Sequence, residues 1–271
     1  MPAIQPARLR QQVVMLSEHF DNPVAFARSL HYLFEYYADR TRKPGQSGNP
    51  PPLIKSYHVH PPVIKQLLQE LKPLVKQNPE RGLALCDQLW DEPYLEFRLL
   101  SIHLLGEIDP NPSEVIIQRV QSWITSELDP ILLDSILLNS LAKLREQYPH
   151  TYINLINNWI ATDDIFLIQM GLRALLPLIQ DTDFENLPIL IKIIQPFTRS
   201  SLPAIKPDLL DVLTALAHKR PSETAFFLQH TLNTPEAHDT AWIIRQILDE
   251  FPSEIQNNLK LLVRERRYHR N

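Results

Sequence analysis

The stretch Arg98-Leu-Leu-Ser-Ile-His-Leu-Leu105 begins with a polar residue and continues as a mainly apolar segment with the length of about two helical turns. The same pattern returns four times further along the chain. The intervals between the leading polar positions lie between 34 and 42 residues, which is typical of degenerate repeats of paired helices. The leading positions are Arg98, Asp134, Gln169, Asp211 and Arg245.

The breaks between the apolar segments carry residues that begin helices. Most of them place Asp, Asn, Ser or Thr beside a proline, which combines a capping side chain with a residue suited to the first helical turn. The chain has 24 prolines and only 5 glycines, whereas tight turns between strands usually need glycine at positive φ. The composition therefore favours many short helices over β-hairpins. Examples of such breaks are Asn78-Pro79, Asp109-Pro110, Asp129-Pro130 and Thr234-Pro235.

These patterns predict an all-α fold, an α-solenoid of HEAT-like helical hairpin repeats with the superhelix of ARM-type proteins. An irregular helical bundle is the alternative that uses the same helices. We predict a single repeat domain over residues 1–271, with a flexible loop at about 40–53 that is rich in proline and glycine. A basic tail is predicted at about 264–271.

Bulk properties narrow the choice of compartment and partner. The single cysteine, Cys86, cannot form an internal disulfide, and no apolar run reaches the length of a membrane helix. The polar segment behind Met1 predicts no signal peptide, so we expect a cytoplasmic protein without a membrane partner. The net charge of −4 argues against a strong non-specific nucleic-acid binder but is compatible with a local basic face.

Motifs for metals and cofactors are missing from the sequence. His58 and His60 would share a face on a strand, but no further ligands accompany them, so we predict no metal site. Cys86 lies among apolar residues and is predicted to be a small core residue rather than a nucleophile. The four tryptophans are predicted to pack between helices. No glycine-rich phosphate loop or hydrolase motif is present, and no cofactor is expected.

Three segments form an ordered set of motifs. Lys55-Ser-Tyr-His-Val-His-Pro-Pro62 is similar to "Lys-x-Tyr/Phe-Gly-Val-x-x-Pro" at the start of a helix. Ala84-Leu-Cys-Asp-Gln-Leu-Trp90, followed by Tyr94-Leu-Glu-Phe-Arg98, is similar to "Leu-Trp … His-Glu-x-Arg". Asp163-Asp-Ile-Phe-Leu-Ile-Gln169 is similar to "Asn-x-Trp-x-x-Arg". Over roughly residues 50–251, the chain thus resembles the DNA alkylation repair enzyme family, whose AlkD and AlkC glycosylases are HEAT-like.

The resemblance implies hydrolysis of the N-glycosidic bond of alkylated purines, with duplex DNA on the concave face of the solenoid. In that family an acidic residue stabilises the cationic sugar, aromatic rings pack on the deoxyribose and an arginine contacts the DNA backbone. Asp134 matches the catalytic aspartate, although a helix N-cap and a solvated residue on the inner face are alternative roles for this residue. The candidate DNA-binding residues are Arg98, Lys143, Arg173 and Arg245.

Three positions depart from the family's pattern. Pro130 stands where a tryptophan is expected four residues before the aspartate. Gln169 stands where the backbone-binding arginine is expected, with Arg173 one turn later, and the second aromatic would fall near Asp211. We therefore predict a DNA-binding protein whose glycosylase activity is lost or altered. The alternatives are a non-enzymatic scaffold with a protein or peptide on its concave face, and an active alkylpurine DNA glycosylase.

Overall fold

The computed structural model describes residues 5–41, 52–182 and 184–269. The chain forms two compact units, Met1–Thr151 and Tyr152–Asn271, so the single repeat domain over residues 1–271 stays a prediction. Most of the loop predicted at about 40–53 lies outside the described residues, as do residues 270 and 271 of the predicted basic tail. The remainder of that tail continues the last helix of the chain.

The first unit consists of short helices, most of which begin with proline because this residue fits the first turn. A π-helical segment, Ile136–Ser140, directly follows the seventh helix. The helices are α1 (Pro6–Ser17), α2 (Pro23–Tyr37), α3 (Pro61–Gln77), α4 (Pro79–Asp91), α5 (Leu95–Leu105), α6 (Ser113–Trp123), α7 (Pro130–Ser135) and α8 (Ala142–Gln147).

Helices of the first unit pack in two layers. α3 packs against both α1 and α5, and α5 packs against α7, so one layer follows the order α1, α3, α5, α7. In the other layer α2 packs against α4, and α4 also packs against α3 and α5. One stripe of α3 faces this core, and its buried residues recur every four positions at Val63, Leu67, Leu71 and Val75.

The second unit has the same two-layer arrangement. α10 packs against α12 in one layer, whereas α13 packs against α11 and α15 in the other. The predicted all-α fold of packed helical repeats is confirmed. Within the described ranges, no helix combines the length and the apolar character needed to cross a membrane. The helices are α9 (Pro149–Ile160), α10 (Ile165–Gln180), α11 (Leu187–Arg199), α12 (Lys206–Lys219), α13 (Pro221–Leu232), α14 (Thr240–Gln246) and α15 (Ser253–His269).

Polar side chains cap only some of these helices: Asn78 makes no side-chain cap before α4, and no helix begins at Asp109-Pro110 or at Thr234-Pro235, contrary to the prediction. Asn22, Asp129 and Asp164 each accept a hydrogen bond from a main-chain N–H in the first turn of the helix that follows. Asp129 is the cap of α7, whereas Asp134 lies within that helix. The alternative interpretation of Asp134 as an N-cap is therefore wrong.

Cys86 lies in the core of the first unit, as predicted. Its side chain is fully buried, and burial raises the pKa of the thiol well above its ordinary value. Ser101 donates its hydroxyl to the main-chain carbonyl of Cys86 at 2.7 Å, which satisfies a buried polar group between α4 and α5. A buried, protonated thiol fits the predicted role of a small core residue.

The π-helical segment packs closely on the end of α5. The hydroxyl of Ser140 donates to the carbonyl oxygen of Ile102 at 3.2 Å. A Cβ atom on Gly106, directly after α5, would lie 2.0 Å from the carbonyl oxygen of Asn139. Because Gly106 has a φ of −66°, which any residue can adopt, the close approach of the two backbones is what requires glycine here.

We expect Gly106→Ala to lower the free energy of unfolding by about 3 kcal/mol, because the new methyl group must push two backbones apart. Gly82→Ala is the matched control, since its Cβ would approach only side chains, the nearest being Val75 at 3.0 Å. We expect this control to change stability by less than about 1 kcal/mol. Urea denaturation followed by circular dichroism measures both values, and equal effects would contradict the proposed contact.

Candidate nucleic-acid interface

The exposed side of α3 carries a row of lysines. Lys65, Lys72 and Lys76 follow one another at helical spacing, with Gln69 between the first two, on the side away from the buried stripe. Lys65 and Lys76 are exposed and Lys72 is half-buried. From the rise of an α-helix, the row spans about 16 Å. It therefore presents positive charge along most of one helix.

A single acidic residue, Glu107, connects this row to α8. Lys72 Nζ lies 2.5 Å from Glu107 Oε1, and Lys76 Nζ lies 2.9 Å from Oε2. Lys143 of α8 donates from Nζ to the main-chain carbonyl oxygen of the same residue. Two ammonium groups therefore contact the carboxylate of Glu107 and a third contacts its main-chain carbonyl, and we call these four residues the lysine cluster. Its net charge is positive.

The lysine cluster changes the pKa of two of its members. Burial alone would raise the pKa of the Glu107 carboxyl group, but hydrogen bonds and charge from Lys72 and Lys76 outweigh burial and lower it. Burial and the charge of Lys76 lower the pKa of the Lys143 ammonium group, although Glu107 opposes this shift. The lysines are thus close enough to share one anionic partner.

A pocket of about 650 Å³ opens beside the lysine row. Its lining comes from α3, α5, the start of α7 and the connecting segment, which we define as residues 52–60. Lys65, Gln69 and Lys72 line it on the α3 side. Its apolar wall is formed by Val59, Ile64, Leu68, Leu95, Leu99 and Ile131.

The connecting segment is held in place by the carboxylate of Glu96 on α5. Glu96 Oε1 accepts from the hydroxyl of Ser56 at 2.6 Å and from the main-chain N–H of His58 at 2.7 Å. Its Oε2 accepts from the main-chain N–H of Tyr57 at 3.1 Å. Glu96 is only 5% exposed, and a carboxylate at this depth is tolerated because these donors replace water.

His58 adopts a backbone conformation that favours glycine. Its φ is 54°, and no other non-glycine residue in the described part of the chain has a positive φ. The ring Nδ1 lies 3.0 Å from the hydroxyl oxygen of Ser56, so the imidazole contacts the turn that holds Glu96. Among the described residues, His58 and His60 do not belong to any cluster of three or more potential metal ligands.

An aromatic cluster supports the other side of the connecting segment. Tyr57 stacks on Tyr94 with ring centroids 4.6 Å apart. His31 Nδ1 lies 2.8 Å from the Tyr57 hydroxyl, and His31 Nε2 lies 3.0 Å from Glu92 Oε2. Burial raises the pKa of Tyr57, so its hydroxyl stays protonated at neutral pH. Through His31, these contacts join the segment to α2 and to Glu92, which directly follows α4.

Asp134 is exposed on α7, one helical turn after Ile131. Ile131 is 48% exposed and lines the pocket, so the aspartate lies on the same face of α7 as the pocket edge. Pro130, at the position of the expected tryptophan, is also exposed. The carboxylate therefore has apolar rather than aromatic neighbours on the preceding turn, and its catalytic role stays a prediction.

Arg98 takes part in packing inside the first unit. Its Nε donates to the carbonyl oxygen of Trp90 at 3.1 Å, and its guanidinium carbon lies 5.0 Å from the centroid of the Trp90 ring. Trp90 in turn stacks on Trp123, with ring centroids 4.3 Å apart and ring planes 10° from parallel. Trp90 and Trp123 thus pack between helices, as predicted, and the Arg98 head group contacts Trp90.

Most of the predicted polar residues of the second unit interact with other residues of that unit. Arg173 Nε lies 2.6 Å from Oδ1 of the buried Asp208. Burial and the charge of Asp208 raise the pKa of Asp211, whereas Arg173 lowers it. Gln169 donates to a main-chain carbonyl at 2.8 Å, and Arg245 is exposed on α14. The prediction that these residues bind DNA remains a prediction.

Lys65, Lys72 and Lys76 are absent from the candidates taken from the sequence, although Lys143 is among them. Their spacing is the signal that could have found them, because positions seven and four residues apart share one face of a helix. The leading polar positions of the repeats lie on α5, α7, α10, α12 and α14. None of them lies on α3.

A model of a known protein family matches most of the chain, including most of the residues described above. The model of the DNA alkylation repair enzyme family matches residues 34–257. The chain belongs to this family. The match includes the lysine cluster, the pocket and Asp134, and it confirms the resemblance found in the motifs. A search of curated proteins gave no match. Membership of the DNA alkylation repair enzyme family supports a role related to DNA repair.

The position of His58 generates a prediction about backbone strain, because the similar motif of the DNA alkylation repair enzyme family has glycine there. His58→Gly and His58→Ala both remove the imidazole, but only glycine adopts a φ of 54° without strain. We expect the glycine variant to be more stable than the alanine variant by about 1 kcal/mol. Differential scanning calorimetry measures the difference, and two equally stable variants would show that the turn relaxes.

A second prediction concerns pH. Because the pKa of Glu107 is lower in the folded protein than in the unfolded chain, its ion pairs stabilise the fold above the unfolded pKa. We expect Glu107→Gln to cost about 1 kcal/mol near neutral pH, since the lysines are partly exposed and water screens them. The cost should disappear as the pH falls through the lowered pKa. Urea denaturation across pH 3 to 7, roughly the range where carboxyl groups titrate, measures it. A constant difference would exclude this linkage.

Proposed function

We propose that this member of the DNA alkylation repair enzyme family binds duplex DNA at the lysine row, with its glycosylase activity lost or altered. The observation that supports binding is the lysine cluster, in which Lys72, Lys76 and Lys143 surround Glu107. Lys65 extends the positive charge along α3. Such charges suit phosphates, since binding them releases the counterions condensed on DNA.

The dimensions of the row fit this role. A length of about 16 Å spans several phosphates of one strand, which are spaced about 3.4 Å along the duplex axis. On this proposal, the layer of α1, α3, α5 and α7 is the concave, DNA-facing side of a HEAT-like array. The net charge of −4 confines attraction to this local surface, so binding should be moderate and strongly dependent on salt.

Asp134 is the residue that a glycosylase would use in this surface. When a base departs, the sugar becomes cationic, and a carboxylate stabilises that charge and can position water. Aromatic rings would add stabilisation through their electron-rich faces, but Pro130 and Ile131 have no such face. The proposal that glycosylase activity is lost or altered rests on this difference.

A protein-interaction scaffold is the second candidate, and one feature of the second unit favours it. A groove of about 850 Å³ lies between α11 and α13. Phe226 in this groove is 71% exposed, beside Leu187 and Ile191. Exposed apolar patches of this kind often mark surfaces that bind other proteins.

DNA binding can be tested by removing charge from the row. Lys65→Ala/Lys76→Ala removes two exposed lysines without changing the buried stripe of α3. We expect weaker binding to duplex DNA and a decrease of about 2 in the steepness of log affinity against log salt. Fluorescence anisotropy with a labelled duplex, over a series of salt concentrations, measures both quantities.

The control for this test is Lys192→Ala/Lys260→Ala, which removes two exposed lysines from α11 and α15. We expect it to bind like the wild type. Glu107→Gln should act in the opposite direction and strengthen binding, because it frees Lys72 and Lys76 for phosphate. Equal losses in the two double variants, or no binding by the wild type at low salt, would disprove the proposal.

The enzymatic part is tested with methylated DNA. We expect the wild type to release 7-methylguanine and 3-methyladenine no faster than Asp134→Ala does, because Pro130 and Ile131 lack aromatic faces. Chromatography of the released bases measures the rates, and the anisotropy assay shows that both proteins still bind DNA. Clearly faster release by the wild type would identify an active alkylpurine DNA glycosylase with Asp134 as its catalytic residue.

A further inference from the structure

The pocket beside the lysine row has a wall suited to a flat, weakly polar group. Leu95 and Leu99 come from α5, while Ile64 and Leu68 come from α3. These four side chains are half-buried, so they retain apolar surface that faces the opening. Val59 and Ile131 extend the wall on the remaining sides. Covering such a surface with an aromatic ring is favourable because it removes apolar area from water.

The polar groups that line the same pocket suit an anion. Lys65 and Lys72 carry ammonium groups seven residues apart on one face of α3, and Gln69 places an amide between them. Within the described part of the chain, the side chains of Lys65 and Gln69 have no hydrogen-bond or ion-pair partner, whereas Lys72 is paired with Glu107. The pocket therefore combines an apolar wall with cationic and amide groups available for binding.

The carboxylate that also lines this pocket does not oppose an anion strongly. Glu96 accepts hydrogen bonds from Ser56, Tyr57 and His58, which spread its charge over the turn of the connecting segment. Its side chain is 5% exposed, so little of it reaches solvent or a ligand. The charges that remain accessible in the pocket are those of the lysines.

We propose that this pocket binds one nucleotide of a DNA strand, with the base against the apolar wall and its phosphate at Lys65 and Lys72. A nucleoside monophosphate unit joins an aromatic ring to an anion, and this is the combination that the lining complements. The inference deepens the proposed function, on which it rests, because the nucleotide would belong to DNA held at the lysine row. Asp134, one turn from Ile131, would lie beside the nucleotide.

The test uses 2′-deoxyadenosine 5′-monophosphate and the full chain. Isothermal titration calorimetry compares this nucleotide with deoxyadenosine and with inorganic phosphate. We expect the nucleotide to bind at least about tenfold more tightly than either part, because both halves of the pocket are then occupied. A pentamer of deoxyadenylate should displace the nucleotide, since the proposed ligand belongs to a strand. Failure of this competition would overturn the assignment to DNA.

Two variants locate the binding site. Leu99→Trp fills the pocket and should abolish nucleotide binding, whereas Ile191→Trp, in the groove between α11 and α13, should not change it. Lys65→Glu changes an exposed side chain and should weaken nucleotide binding at least about tenfold while leaving deoxyadenosine unaffected. Thermal unfolding confirms that the variants are folded.

The outcomes separate this inference from the proposed function. Nucleotide binding that survives both Leu99→Trp and Lys65→Glu, or no binding at millimolar nucleotide, would disprove the nucleotide pocket even if the chain binds duplex DNA. Conversely, nucleotide binding that is lost in Leu99→Trp would support the pocket even if the duplex assay fails.

Discussion

The carboxylate of Glu96 determines the position of the connecting segment in the first unit. Its oxygens accept from the hydroxyl of Ser56 and from the main-chain N–H groups of Tyr57 and His58. If the segment moved away, a nearly buried charge would lose its donors, at a cost of several kcal/mol. The stack of Tyr57 on Tyr94 and the pocket wall formed by Val59 both depend on this turn. A single buried acid thus shapes the surface where we propose that DNA binds.

Local chemistry explains why the helices could be predicted from the sequence. α3 and α4 begin at Pro61 and Pro79, where a fixed φ and a missing donor suit the first helical turn. The candidate site was less predictable because its interactions join distant residues. Glu107 contacts lysines of α3 and α8, and Glu96 holds a turn about 40 residues earlier in the chain. No short sequence motif indicates contacts between residues so far apart in the chain.

The repeated polar positions show a second limit of sequence patterns. Arg98 and Asp134 both lead a repeat, yet the Arg98 head group packs on Trp90 while Asp134 is exposed. In the second unit, Arg173 lies one turn after Gln169 and is held by the buried Asp208. This ion pair engages the Arg173 guanidinium group, and binding of this residue to DNA stays a prediction. The lysines of the first unit supply the positive charge for our proposal instead.

The π-helical segment after α7 affects which face of the following helix each residue occupies. A π turn holds one residue more than an α turn, so residues beyond it are rotated by about 100° relative to an uninterrupted helix. A helical wheel drawn from Asp134 therefore cannot be continued through Ile136–Ser140 to Lys143. Gly106 leaves room for the carbonyl oxygen of Asn139, which belongs to this segment. The face on which Lys143 lies is therefore fixed by the π-helical segment and does not follow from helical spacing counted along the sequence.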